Sequence, residues 1–201
     1  AFEGCSSLKQ ITIPSSVTLI GDSVFCKCSS LTQITFEIPS SVTSIGFNAF
    51  SGCSSLKQIT IPSSITSIGN GAFSGCSSLT QITIPSSVTE IRRGAFFRCS
   101  SLTQITIPSS VTSIQNEAFC LCLSLTQVSF EIPSSVTSIG NYAFSGCKSL
   151  SQITVPSSVT SIGNNAFKGC LSLTQTALSS SINSNNGNTN SNAPSGNNND
   201  N

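Results

Sequence analysis

Apolar and polar residues along this chain follow a short pattern that returns every 23 or 25 positions. In Leu79-Thr80-Gln81-Ile82-Thr83-Ile84, the side chains of Ile82 and Ile84 alternate with Thr83, the period of a half-buried strand. Pro85 ends that strand, because proline has no N–H to give to a ladder. Val88 to Ile91 predicts a second short extended stretch, and a glycine usually follows it, as at Gly69 and Gly163. An Ala-Phe-x-x-Cys segment comes next, too short for a stable helix, and predicts a single helical turn. The Ala-Phe pair recurs at Ala1, Ala49, Ala72, Ala95, Ala118, Ala143 and Ala166, with Val24-Phe25 standing in once. Two units are longer because ITIPSS becomes ITFEIPSS, which adds Phe36-Glu37 and Phe130-Glu131. An even insertion is expected to preserve the in/out alternation of the strand, whereas a single residue would flip its faces.

No unit holds enough apolar side chains to bury a core alone, so neighbouring units must stack. Stacking places equivalent residues about 4.8 Å apart and turns the repeat into columns. One column is a phenylalanine spine: Phe2, Phe25, Phe50, Phe73, Phe96, Phe119, Phe144 and Phe167. A second runs from Leu8 through Leu79 to Leu173, flanked by the Ile and Val positions. At roughly 1.5–3 kcal/mol for each fully buried large apolar side chain, several per coil offset the ordering entropy. The predicted fold class is a repeat solenoid of 23–25-residue coils, built mainly from short β-strands with single helical turns.

The repeated string L-x-x-I-x-I-P-x-S-V-T-x-I-G-x-x-A-F-x-x-C resembles the leucine-rich repeat of the BspA-like, or Treponema-type, class, over about residues 1–178. That resemblance implies a curved right-handed solenoid of about 7.5 coils with a strand on its concave side. It also implies a family of mostly surface-displayed binding and adhesion proteins. Arg92 and Gln115 depart from the pattern by replacing the usual glycine, and Gln175-Thr176-Ala177-Leu178 breaks the Q-I-T-I strand. The break is expected to end the solenoid. Residues 179–201, almost wholly Ser, Asn, Gly and Thr, predict a disordered tail, and that tail carries no Asn-x-Ser/Thr sequon. A start in the middle of a repeating unit implies a segment of a longer protein.

Composition then narrows the function classes. Eight basic against seven acidic residues leave a net charge of +1, which argues against a nucleic-acid partner. No apolar run approaches the ~18 residues of a membrane span, so direct membrane insertion is not expected. There is no histidine, which removes Ser–His–Asp and Cys–His catalysis. Glu37 and Glu131 share a position but lie four coils apart, about 19 Å on the strand spacing. Carboxylates that cooperate in hydrolysis sit roughly 5–9.5 Å apart. No enzyme, catalytic residue or cofactor is expected.

Eight cysteines form a column from Cys5 to Cys170. Their Cβ vectors should run parallel at the stacking distance, beyond the ~3.5–4.5 Å that a disulfide requires, so a buried reduced ladder is expected. Cys26 and Cys120 lie two residues before ladder cysteines and are expected to be partly exposed thiols. Two C-x-C pairs supply only half of a zinc site each, so no metal is expected.

Two surfaces are candidates for recognition. On the predicted concave face, Gln33, Gln58, Gln81 and Gln104 form one file, and Thr35, Thr60, Thr83 and Thr106 form the next. Such files are either amide and hydroxyl ladders supporting adjacent strands or a flat neutral surface for a protein or glycan. The second is a local cluster of Arg92, Arg93 and Arg98 with Phe97. Phe97 follows the spine residue Phe96 and should lie largely outside the core, beside guanidinium groups, a combination enriched at binding hot spots. Arg92 and Arg93 are alternatively solvated and paired with Glu90 or Glu117. The expected function is a non-enzymatic protein-binding module of a surface-exposed leucine-rich repeat protein, in adhesion or host and matrix recognition. Its rival is an intracellular scaffold or regulatory protein, for which reduced cysteines would serve equally well.

Overall fold

The computed structural model describes residues 1–174. The expected solenoid end at residue 178, Gln175, and the tail at 179–201 lie outside the described residues. Each coil contributes two short strands. They are β1 (Gln10–Ile13) and β2 (Leu19–Ile20), β3 (Gln33–Phe36) and β4 (Ser44–Ile45), then β5 (Gln58–Ile59) and β6 (Ser67–Ile68). The series continues with β7 (Gln81–Ile82) and β8 (Glu90–Ile91), β9 (Gln104–Ile107) and β10 (Ser113–Ile114), and β11 (Gln127–Phe130) and β12 (Ser138–Ile139). β13 (Gln152–Ile153) and β14 (Ser161–Ile162) complete it. All observed pairs are parallel and in register with the repeat, for example Gln10 with Gln33 and Ser113 with Ser138. The odd-numbered strands form sheets β1-β3, β5-β7 and β9-β11-β13. The even-numbered strands form β2-β4-β6 and β8-β10-β12-β14. The fold is a parallel β-solenoid of about seven coils.

The apolar columns make one continuous core, and no buried polar or charged residue interrupts it among the described residues. The eight phenylalanine rings stack with centroids 5.2–5.6 Å apart and planes within 15° of parallel. Six of them, Phe25 to Phe144, are fully buried, whereas Phe2 is 39% exposed.

The Ala-Phe-x-x-Cys segment does not form a continuous helical turn. Its amides divide instead between two directions. In the second coil, the N–H groups of Val24, Cys26 and Cys28 donate three residues back, to the carbonyls of Gly21, Ser23 and Phe25. The N–H groups between them, on Ser23, Phe25 and Lys27, donate to Phe47, Ala49 and Ser51 of the next coil. This segment is therefore a third stacking surface, in which every second amide joins adjacent coils.

That arrangement demands two left-handed residues per coil. The residue before the ladder cysteine has positive φ in every coil, whether glycine (Gly52, Gly75, Gly146) or not (Lys27, Arg98, Leu121). So has the residue before the Ala-Phe pair, as at Asn48, Gly94 and Tyr142. A non-glycine residue there costs about 1–2 kcal/mol. A Cβ on Gly75 would meet its nearest neighbour, the Gly52 backbone nitrogen, at an ordinary 3.6 Å, so space is available and only the φ of +71° resists it. Gly75→Ala should lower unfolding stability by about 1–2 kcal/mol, and Lys27→Gly, at an exposed site of the same column, should raise it by up to about that amount. Urea unfolding followed by circular dichroism checks both signs.

Candidate functional site

The Gln and Thr files occupy one face, since Gln33, Thr35, Gln58, Thr60, Gln81, Thr83, Gln104 and Thr106 are all exposed. Between them Ile34, Ile59, Ile82 and Ile105 point into the core, as strand alternation requires. None of the eight polar side chains hydrogen-bonds to another described residue. The hydroxyl ladder forms one position earlier: Thr32, Thr80, Thr103 and Thr126 each donate to a carbonyl of the preceding coil, at 3.0–3.4 Å. The Gln and Thr files thus leave their donors and acceptors to solvent.

The arginine cluster is largely neutralised within itself. Arg92 Nε lies 3.6 Å from Glu90 Oε2, and Arg93 Nη2 lies 3.5 Å from Glu117 Oε1. The Arg93 backbone N–H also donates to Gln115 Oε1 at 3.2 Å. Exposed pairs of this kind contribute under ~1 kcal/mol each. Phe97 is only half-exposed, in contrast to the expectation that it lies largely outside the core. The Arg98 guanidinium covers its ring, with Cζ 5.1 Å from the centroid. Arg98 occupies the left-handed position before Cys99, and no acid side chain among the described residues pairs with it. The structure thus brings Phe97 and Arg98 together and gives Arg92 and Arg93 to glutamates.

All ten cysteines are free thiols. From Cys28 to Cys170, each ladder Sγ–H donates to the phenylalanine carbonyl of the coil before, at 3.0–3.2 Å. Burial pushes Cys53 up from the ordinary thiol value of 9.0 to about 12 and holds Cys76 and Cys99 well above it. Two positions differ from expectation. Cys5, in the ladder, is exposed. Cys26 is buried, at 8% exposure, whereas Cys120 is half-buried. Among the described residues no group of three or more His, Cys, Asp or Glu could hold a metal, and no helix is long and apolar enough to cross a membrane.

The two-residue insertions behave differently from the expected even extension. Alternation holds through Ile34 and Phe36, both buried, and then fails: Ile38 and its counterpart Ile132 are each 93% exposed. The neighbouring coils offer two inward positions per strand, so a third inward side chain has no column to join. The chain bulges outward instead. The Glu37 carboxylate anchors one bulge by accepting the Ser15 N–H of the preceding coil at 2.9 Å. Glu131 does the same with the Ser109 N–H at 3.0 Å. These glutamates, which the sequence presented only as carboxylates too far apart for catalysis, are structural pins.

Residues 1–126 and 122–195 match the BspA type leucine rich repeat region, in six copies. The chain belongs to the BspA-type leucine-rich repeat family. Solved structures of other leucine-rich repeat proteins share its architecture. A leucine rich cell surface protein from Faecalibacterium prausnitzii is 39% identical, with a TM-score of 0.72 over 83% of this chain and 46% of that one. A leucine-rich repeat protein from Bacteroides ovatus is 34% identical, with a TM-score of 0.67 over 86% of this chain and 50% of that one. The leucine rich repeat protein of T. pallidum is 32% identical, with a TM-score of 0.77 over 84% of this chain and 79% of that one. No curated protein matches the chain. This BspA-type chain spans about half the length of the Bacteroides and Faecalibacterium proteins.

Proposed function

We propose that this BspA-type chain is a non-enzymatic, protein-binding module of a surface-exposed protein that acts in adhesion or in host and matrix recognition. The observation that carries the proposal is the file of solvated Gln and Thr side chains, whose hydrogen-bonding groups are all available to a partner. The surface location rests on likeness to the Faecalibacterium cell surface protein. Neither a nucleic acid nor a membrane fits a nearly neutral face without an apolar helix, and a glycan is the other neutral ligand such a face could take. Arg98 with Phe97 adds one cationic and aromatic contact at the edge.

Immobilised chain should retain proteins from an extracellular matrix or host-surface preparation and not from a cytosolic extract. Retention from the cytosolic extract alone would favour the intracellular scaffold. Replacing Arg93 and Arg98 by Gln, with Phe97 left in place, should shift the thermal midpoint little, because surface pairs contribute under ~1 kcal/mol. Affinity for the retained protein should fall at least tenfold, about 1.4 kcal/mol. Unchanged affinity would place recognition away from this edge.

A further inference from the structure

Between β6 and β8 the stack is open along one side. At every other junction the even-numbered strands are tied by the same set of bonds. The N–H groups of Thr43, Thr66, Thr112, Thr137 and Thr160 donate to the threonine one coil back at 2.8–2.9 Å. The hydroxyls of the same residues donate to the same carbonyls at 3.1–3.3 Å. The residue after the strand, as at Gly46, Gly69 and Gln115, donates its N–H to the isoleucine one coil back at 2.7–2.8 Å. Among the described residues, Thr89 donates neither group to Thr66, and the Arg92 N–H does not reach Ile68. The even-strand sheet divides at this point into β2-β4-β6 and β8-β10-β12-β14.

Elsewhere the same junction is closed. β5 pairs with β7 in register, and Asn48, Phe50 and Gly52 donate to Asn70, Ala72 and Ser74. The odd-numbered strands are interrupted at different junctions, between β3 and β5 and between β7 and β9. Ser55 N–H still donates to Ser29 across the first, and the Thr103 N–H and hydroxyl to Thr80 across the second. The unit that carries β5 and β6 is therefore held to the unit before it through β4–β6 and to the unit after it through β5–β7.

Two departures from the repeat meet at the open side. Ile65 stands where every other unit has valine and is fully buried, so its extra methylene must find room between coils. Arg92 stands where glycine follows β2, β4, β6, β12 and β14. A Cβ on Gly69 would lie 2.6 Å from the Gly46 carbonyl carbon, too close for packed atoms. Gln115 also carries a Cβ and keeps its bond to Ile91, so it is the combination with Ile65 that sets this junction apart. The Arg92–Glu90 and Arg93–Glu117 pairs lie on the β8 side and do not reach back to β6. Ser87 Oγ still reaches the Ser63 and Ile65 carbonyls, so the opening begins beyond it.

We propose that the solenoid hinges here: the parts that carry β1–β6 and β8–β14 rock about the β5–β7 pair and the turn bonds, opening and closing the gap between β6 and β8. Each unit of a solenoid is held only by its neighbours, so bending concentrates at the junction with fewest ties. Gln58 and Thr60 lie on one pivot strand and its extension, and Gln81 and Thr83 on the other. Rocking therefore changes the angle across the middle of the Gln and Thr face. The hinge is a property of the stack and holds whatever that face binds.

The experiment is NMR on the isotopically labelled chain, with Ile65→Val/Arg92→Gly as the variant that restores the repeat. Amide exchange at Thr89 and Arg92 should be about a hundredfold faster than at their counterparts Thr112 and Gln115. Residual dipolar couplings should need one alignment tensor for β1–β6 and another for β8–β14, of unequal magnitude, as motion on the microsecond to millisecond scale of hinges produces. The variant should slow the residue 89 and 92 amides to the rate of their counterparts and bring both parts to a single tensor. The proposal is overturned if Thr89 and Arg92 exchange as slowly as Thr112 and Gln115, or if one tensor fits the unaltered chain. It is overturned equally if the variant leaves the exchange fast and the tensors unequal.

Discussion

Raising the pH above 9 should strip several kcal/mol of stability from this protein and unfold it before pH 12. The cause is the thiol ladder. Burial pushes Cys53 from 9.0 to about 12, and it raises Cys76, Cys99 and Cys122 as well. In the unfolded chain these thiols lose their protons near 9, while in the folded chain they keep them. The native state therefore holds more protons through this window, and stability must fall as pH rises. It is fully present below the unfolded value and lost progressively toward the folded one. Each such thiol removes about 1.4 kcal/mol per pH unit, so Cys53 alone removes about 4 kcal/mol by pH 12. Four act together, against a typical total stability of 5–15 kcal/mol. Urea midpoints measured from pH 7 to 11 under reducing conditions should decline with a slope of several protons. Cys99→Ser keeps a donor for the Phe73 carbonyl but does not titrate, and should reduce that slope by about one proton. A flat profile would show that the ladder thiols reach water without unfolding.

Phe96→Ala should cost about 3–5 kcal/mol, the range for emptying a phenylalanine site that cannot collapse. Phe96 is 0% exposed and stacks at 5.6 Å on Phe73 and 5.2 Å on Phe119. Backbone hydrogen bonds on three sides of each coil keep the neighbours from closing over the gap. Phe2→Ala, at a ring 39% exposed, should cost far less. In a solenoid each coil touches only its neighbours, so weakening the middle also weakens the coupling of the two halves. Urea unfolding of Phe96→Ala, followed by circular dichroism, should resolve into two transitions where the unaltered chain shows one. A single transition displaced by under 1 kcal/mol would mean that the spine is not a cooperative element.

The strands, their register and the buried columns were legible because the repeat imposes them many times over. Whatever the first Q-I-T-I strand does, each later coil must do again or lose its neighbour's hydrogen bonds. The candidate surfaces were legible only by residue type. Gln33 and Thr35 were placed on the polar face by alternation, yet which threonines form the hydroxyl ladder depended on where the preceding coil's carbonyls fall. Phe97 looked exposed because the residue after a buried one in a tight turn usually is. In the structure its ring is half-buried and lies under the Arg98 guanidinium, a contact that residue type alone does not announce.

What the sequence by itself determined is the solenoid, since a 23-residue unit with one Phe, one Leu and a few Ile or Val has no stable state except a stack. What only the tertiary structure decided is the behaviour of its exceptions. Two extra residues could extend a strand or bulge from it, and local alternation predicted extension. The stack allowed only the bulge, because an inward side chain needs a matching column in the coils on both sides. Periodic positions are set by their own residue type, and every departure from the period is set by its neighbours.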